Sequence, residues 1–327
     1  MNKLFIYTLK ALRKIYAQAF GTKSVKPECE QDPNKASQLI YDALMADKPC
    51  MIARFGSTEL TCLMNYIGVH QHKKQVLSYI KGNSSPWWWG NSILNQMQQW
   101  SGFFPPTIEK IEQFCELMLQ DIPQVDILGS WLADEKQFEN EMRNASKVHL
   151  RLIEPFWAEN PWTKSLEGKK VLVVHPFAQT IENQYNKREK LFASKSILPL
   201  FELKTIKAVQ SIAGEKTAFN DWFEAFEYMK SAINKTEYDI CLIGAGAYGF
   251  PLAAHVKRMG KKAVHFGGSL QLLFGVKGKR WENPNYGVDV WGIPVGSYSN
   301  LMNEYWTSPL ENERPNELNK VEGGCYW

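Results

Sequence analysis

Between residues 169 and 268 the chain alternates two textures, and that alternation constrains its fold more than any other feature. "KKVLVVHPF" is a continuous apolar run of the kind found in strands buried on both faces. A helical stretch, "AQTIENQYNKREKLFA", follows it, and then the strand "ILPLFELKTIKAV". The helix "FNDWFEAFEYMKSAI", the strand and turn "YDICLIGAGAYG", the helix "FPLAAHVKRMG" and the strand "KAVHFGG" complete the series. Apolar strands separated by crossover helices pair in parallel, so the pattern predicts an α/β fold, a Rossmann-like parallel sheet with flanking helices.

The earlier half is less regular. "NKASQLIYDALMAD" and "TIEKIEQFCELMLQDI" read as helices, and "PCMIARF", "VDILGSWL" and "HLRLIEPFW" read as strands. Residues 68 to 106, centred on "SSPWWWGNS", read as irregular. Four parts are expected: a basic amphipathic helix over 1–26, an N-terminal α/β part over 27–168, a nucleotide-binding part over 169–297, and a polar surface tail over 298–327.

Charge is concentrated at one end. The net charge is +4, yet residues 1–26 hold Lys3, Lys10, Arg13, Lys14, Lys23 and Lys26 without one acidic residue, which leaves the body near neutral. A near-neutral body argues against a nucleic-acid partner, which needs a broad basic face. Within this segment Leu4, Phe5, Leu9, Leu12, Ile15, Tyr16 and Phe20 recur near helical period. Such a helix either lies on an anionic membrane surface or packs on its own domain or on a partner subunit. Charges interrupt the apolar run, so neither a spanning helix nor a signal peptide is expected. The six cysteines form no CxxC pair and no cysteine–histidine zinc spacing. A cytoplasmic protein is expected, peripheral on the inner face of the membrane if the helix binds there.

Several stretches could carry chemistry. "GAGAYG" (244–249) fits G-x-G-x-x-G between a strand and a helix, a place where backbone N–H groups bind phosphate. Gly244, Gly246, Ala247 and Tyr248 are therefore candidate ligand contacts, and tight strand–helix packing is the alternative use of the glycines. An NAD site also needs a carboxylate at the end of the next strand, but there the chain has His265, Gly267 and Gly268. This disfavours an NAD(P)-dependent oxidoreductase. His175 and Pro176 end the "KVLVV" strand, and His175 and His265 would lie along one sheet edge, as binding groups or as buried structural histidines. Lys187, Arg188 and Arg280 are candidate phosphate clamps. No G-x-S-x-G elbow and no GKT/S loop is present.

"MIARFGSTEL" (51–60) is an apolar strand that ends in Arg54, Phe55 and Gly56, with Glu59 in the polar step that follows. "RFGSTE" resembles the R-F-G-D-G-E motif near the start of the GT-D-type bacterial glycosyltransferases. The strand–turn–helix–strand order from "KKVLVVHPF" to "KAVHFGG" is similar to that family's second half. The likeness runs in outline from about residue 35 to 275. It implies a GT-D-like architecture and transfer of a sugar from a nucleotide-sugar donor, a UDP-sugar first, to a glycan or lipid-linked acceptor in bacterial surface polysaccharide or glycoconjugate assembly. By the same resemblance Arg54 and Glu59 are the candidate catalytic residues, with Gly56 and Ser57 beside the donor. The family's D-x-E pair implies a divalent Mn or Mg ion, held here by Glu59. Ser57, a neutral hydroxyl, stands where the family has its first aspartate, and this weakens that hold. Asp134 and Glu135 are further candidates for the general base, and "WWW" and residues 100–104 for an aromatic acceptor platform. A non-catalytic nucleotide or sugar-phosphate binding protein is the alternative reading.

Overall fold

The computed structural model describes residues 2–21, 27–317 and 324–327. Its strands are β1 (Cys50–Ala53), β2 (Ile127–Ser130), β3 (Ser146–His149), β4 (Lys170–His175), β5 (Glu202–Lys207), β6 (Ile240–Ile243) and β7 (Lys262–His265). They form one sheet in the order β3-β2-β1-β7-β6-β4-β5, and every pairing is parallel. The α/β fold expected from the apolar strand runs is the fold present.

The period of two along each strand sorts the core into two layers. Met51 and Ala53 of β1, Leu172 and Val174 of β4 and Ile243 of β6 face helices Ser57–His70, Ile108–Asp121, Trp222–Lys235 and Gly249–Arg258. Cys50 and Ile52, Val171 and Val173, and Leu242 face the opposite layer, with helices Pro33–Met45 and Ala178–Tyr185. Inner strands such as β1 and β6 are buried throughout, which is why they read as unbroken apolar runs.

The parts on either side of residue 168/169 share one sheet, in which β7 pairs with both β1 and β6. Three sequence readings need correction. "HLRLIEPFW" is not a strand: β3 ends at His149, and the stretch turns through short 3₁₀ helices at Leu150–Ile153 and Pro155–Trp157. β3 is an edge strand with a largely polar sequence and lacks the apolar signature, whereas Leu152 and Ile153 after it are buried from turns. Residues 68–106 contain helices Val76–Ile80 and Asn91–Gln99. Trp87 and Trp88 there pack edge-on against Tyr79.

The third correction concerns 298–317, which is no surface tail. Tyr298, Trp306 and Glu313 are buried. The Trp306 indole donates to the Leu191 carbonyl at 2.9 Å. Glu313 accepts the backbone N–H groups of Gln179 at 2.8 Å and Thr180 at 3.0 Å, which caps the Ala178–Tyr185 helix. The segment is polar because part of its work is capping.

Candidate functional site

With all strands parallel, their carboxyl ends open on one edge, and ligands in such sheets bind there. β1 delivers Arg54 to that edge. Gly56 then starts the Ser57–His70 helix in extended geometry, and Glu59 lies in its first turn. The Glu59 carboxylate folds back over Gly56, where a Cβ would collide with it. No side chain or N–H group among the described residues engages that carboxylate. The Arg54 guanidinium lies over the Trp131 ring at 5.3 Å, and its Nε is buried without a hydrogen-bond partner. A buried donor left unpaired in this way costs about 1–3 kcal/mol, which favours an acceptor arriving from outside the chain.

Arg54 opens into a cavity of about 310 Å³ that Arg151 and Arg280 also line. Its walls include Trp131, Trp281, Tyr286, Trp291 and Tyr326. Arg280 stacks over the Tyr326 ring at 4.4 Å, and Arg151 over Trp157 at 4.5 Å. Such stacking orients each guanidinium plane, and Arg280 Nη2 also donates to Cys325 Sγ at 2.6 Å. Glu154 is buried in the same wall and accepts from Tyr298 Oη at 2.8 Å and Trp157 Nε1 at 3.0 Å. Burial pushes its carboxyl up to about 7. Among the described residues the cavity is thus lined by three guanidinium groups and one carboxyl whose ionisation burial opposes.

A smaller apolar cavity of about 100 Å³ adjoins it and shares Gly268 and Tyr326. His175, Pro176, Gly244, Gly246 and Tyr248 line it, together with Trp100 and Trp327. His175 Nδ1 accepts the Phe177 N–H at 3.0 Å. Burial lowers the His175 pKa to about 3, so the ring is neutral. His265 sits within 3.3 Å of the Ile243 carbonyl and is likewise lowered to about 3, by burial first and then by the Arg54 charge. A third, very small cleft gathers Arg54, Gly56, Glu59, Gly246, Ala247 and His265.

Most of the sequence-predicted residues thus converge on this edge, and Gly267 packs 3.6 Å from the Arg54 side chain, measured from an added Cβ. Others are elsewhere. Lys187 is exposed, Arg188 pairs with Glu189 at 3.0 Å, and neither lines these cavities. They follow the helix that leaves β4, and the helix carries them away from the edge. Ser57 is exposed and lines none of the three cavities. Glu135 is occupied by Ser130 Oγ and the N–H groups of Trp131 and Leu132, both at 3.0 Å, so it shapes the loop after β2.

The "GAGAYG" turn has a packing explanation. Added Cβ atoms at Gly244 and Gly249 would strike the rings of His175 and His265. The N–H of Ala247 already donates to Ser101 at 3.2 Å, and that of Tyr248 to Ala245 at 3.1 Å. Two of the donors that a phosphate would need are therefore taken. Arg151, Glu154 and the aromatic walls were not singled out in the sequence. Arg151 lies just past the end of β3, within a stretch that reads as strand, so its place carried no signal. Tyr326 had none either.

A divalent ion does not fit the donor set. Among the described residues Glu59 is the one carboxylate in the cleft it lines with Arg54. Among the described residues no group of three His, Cys, Asp or Glu side chains could hold a metal.

A model of the GT-D fold-like domain matches residues 31–273. The chain belongs to the GT-D-like family. Searches of curated proteins and of solved structures returned no match. The fold is thus glycosyltransferase-like, and the matched GT-D-like span holds all seven strands with Arg54, Glu59 and Arg151. It stops short of Arg280, Trp281, Tyr286, Trp291 and Tyr326, so one wall of the arginine cavity comes from outside the family span.

Proposed function

We propose that this protein is a glycosyltransferase that moves a sugar from a nucleotide-sugar, a UDP-sugar in the first instance, to a glycan or lipid-linked acceptor in bacterial glycoconjugate assembly. The observation that carries the reading is the convergence of Arg54, Arg151 and Arg280 on one aromatic-walled cavity at the carboxyl edge of a GT-D-like sheet. Glycosyl transfer breaks the bond from the anomeric carbon to the diphosphate oxygen, and the electron pair leaves on the diphosphate. Three guanidinium groups offset that developing charge directly, and charge-assisted bonds in a partly dry cavity are strong. The aromatic walls suit the faces of a base or a sugar. The acceptor hydroxyl oxygen forms the new bond to the anomeric carbon, and its proton passes to a base. Glu59 is the carboxylate we assign to that role, because it shares the small cleft with Arg54 and no donor among the described residues occupies it.

A panel of UDP-, GDP- and CMP-sugars, assayed for release of the nucleotide with and without manganese, tests the reading. Turnover of one donor is expected, and Glu59→Ala should lower it about a hundredfold or more, the usual worth of a general base. Thermal stabilisation by NAD alone would contradict it. One observation favours a second reading, a non-catalytic nucleotide-binding protein: Ser57 stands where the family has a carboxylate. In that case UDP binds, and no donor is turned over.

A further inference from the structure

The helix Lys3–Phe20 carries three distinct faces. On one, Leu9 is buried against Tyr79 and Trp88, with Ile6 packed beside it. Arg13 on the same face lies over the Tyr79 ring at 4.7 Å and donates to the Ser84 carbonyl at 3.3 Å. Lys3, Lys10 and Lys14 follow one another along the next face at helical spacing. The remaining face is apolar and open: Leu4 is 72 % exposed, Leu12 42 % and Ile15 59 %, with Ala11 and Thr8 between them. The docked face fixes the helix to the body, so the open stripe is presented in a defined direction. Lys10 and Arg13 line a cavity with Thr61 and Asp134, which follow the carboxyl ends of β1 and β2.

We propose that this helix anchors the protein on an anionic membrane surface. The Leu4, Leu12 and Ile15 stripe enters the headgroup–acyl boundary, and Lys3, Lys10 and Lys14 lie against anionic headgroups. The charge pattern selects the bilayer over a second copy of the chain. The helix has no acidic residue, and an antiparallel pairing through the apolar stripe would set one lysine row against the other. The inference does not depend on the transfer reaction.

The test is sedimentation of the full chain with phosphatidylcholine vesicles, with and without phosphatidylglycerol. Binding is expected only with phosphatidylglycerol, and it should weaken as salt screens the lysines. The combined variant Lys3→Gln, Lys10→Gln, Lys14→Gln should lose about a hundredfold in partitioning. The combined variant Leu4→Ser, Leu12→Ser, Ile15→Ser should not bind. All six side chains lie on the exposed faces, so both variants should keep the wild-type thermal transition and the wild-type response to UDP. The proposal is overturned if the wild type ignores both vesicle types. It is equally overturned if the serine variant binds as well as the wild type, or if the chain is a dimer that the serine substitutions dissociate and vesicles do not capture it.

Discussion

Arg54 and Glu59 stand five residues apart at the end of one strand and the start of one helix, and among the described residues neither the Arg54 Nε nor the Glu59 carboxylate has a partner. Most exposed ion pairs form because opposite charges lie within reach. Here Arg54 keeps an unpaired buried Nε and Glu59 an unengaged carboxylate, within one cleft. The neighbouring Glu154 gives a measurable signature of the same environment. Burial raises it from 4.5 to about 7, so the folded protein keeps this proton where the unfolded chain releases it. Its contribution to stability is complete below pH 4.5 and is lost as pH rises through 7. The whole difference is worth about 3 kcal/mol at most. His175 and His265, lowered from 6.5 to about 3, act with the opposite sign and are lost as pH falls. Comparing wild type with Glu154→Gln therefore isolates the carboxyl. Urea unfolding at about pH 5 and about pH 8 should show the wild type losing about 2–3 kcal/mol relative to the variant. Parallel pH profiles would remove Glu154 from this account.

At the scale of elements, what could be read depended on burial. β1, β4, β6 and β7 lie inside the sheet and are buried almost throughout, so their sequences announced them. β3 lies at an edge and did not. The helix after β4 is legible in the sequence, but its direction away from the edge is not. Eight residues of helix carry the chain about 12 Å from the carboxyl edge, which puts Lys187 and Arg188 beyond the site. The glycine turn was visible too, and its likeness to a phosphate loop concealed a packing role. Gly249 admits the His265 ring, so Gly249→Ala should destabilise by roughly 1–3 kcal/mol through overpacking. Its effect on UDP affinity, measured at a temperature where the variant is folded, should be small. A large loss of affinity with unchanged stability would restore the phosphate-loop role.

At the scale of the whole molecule, one sheet brings the early arginines to a wall made by the end of the chain. Gln271 donates to the Tyr326 carbonyl at 3.0 Å, and the Arg280 N–H to the Cys325 carbonyl at 3.1 Å, which holds the last residues over the edge. Contacts of such long sequence separation leave no periodicity to read, which is why this wall was not foreseen. Deleting residues 324–327 should weaken UDP binding about tenfold, because it removes the ring that orients Arg280. Calorimetry on the folded truncation checks this, and unchanged affinity would exclude the terminal wall from the site. The central claim is that the arginine cavity holds the diphosphate. Titration of UDP into the wild type and Arg151→Ala by calorimetry tests it most directly. The account predicts binding by the wild type and a loss of about tenfold to a hundredfold in the variant, the worth of one charge-assisted bond. Equal affinities for the two proteins, or no UDP binding by the wild type, would contradict it.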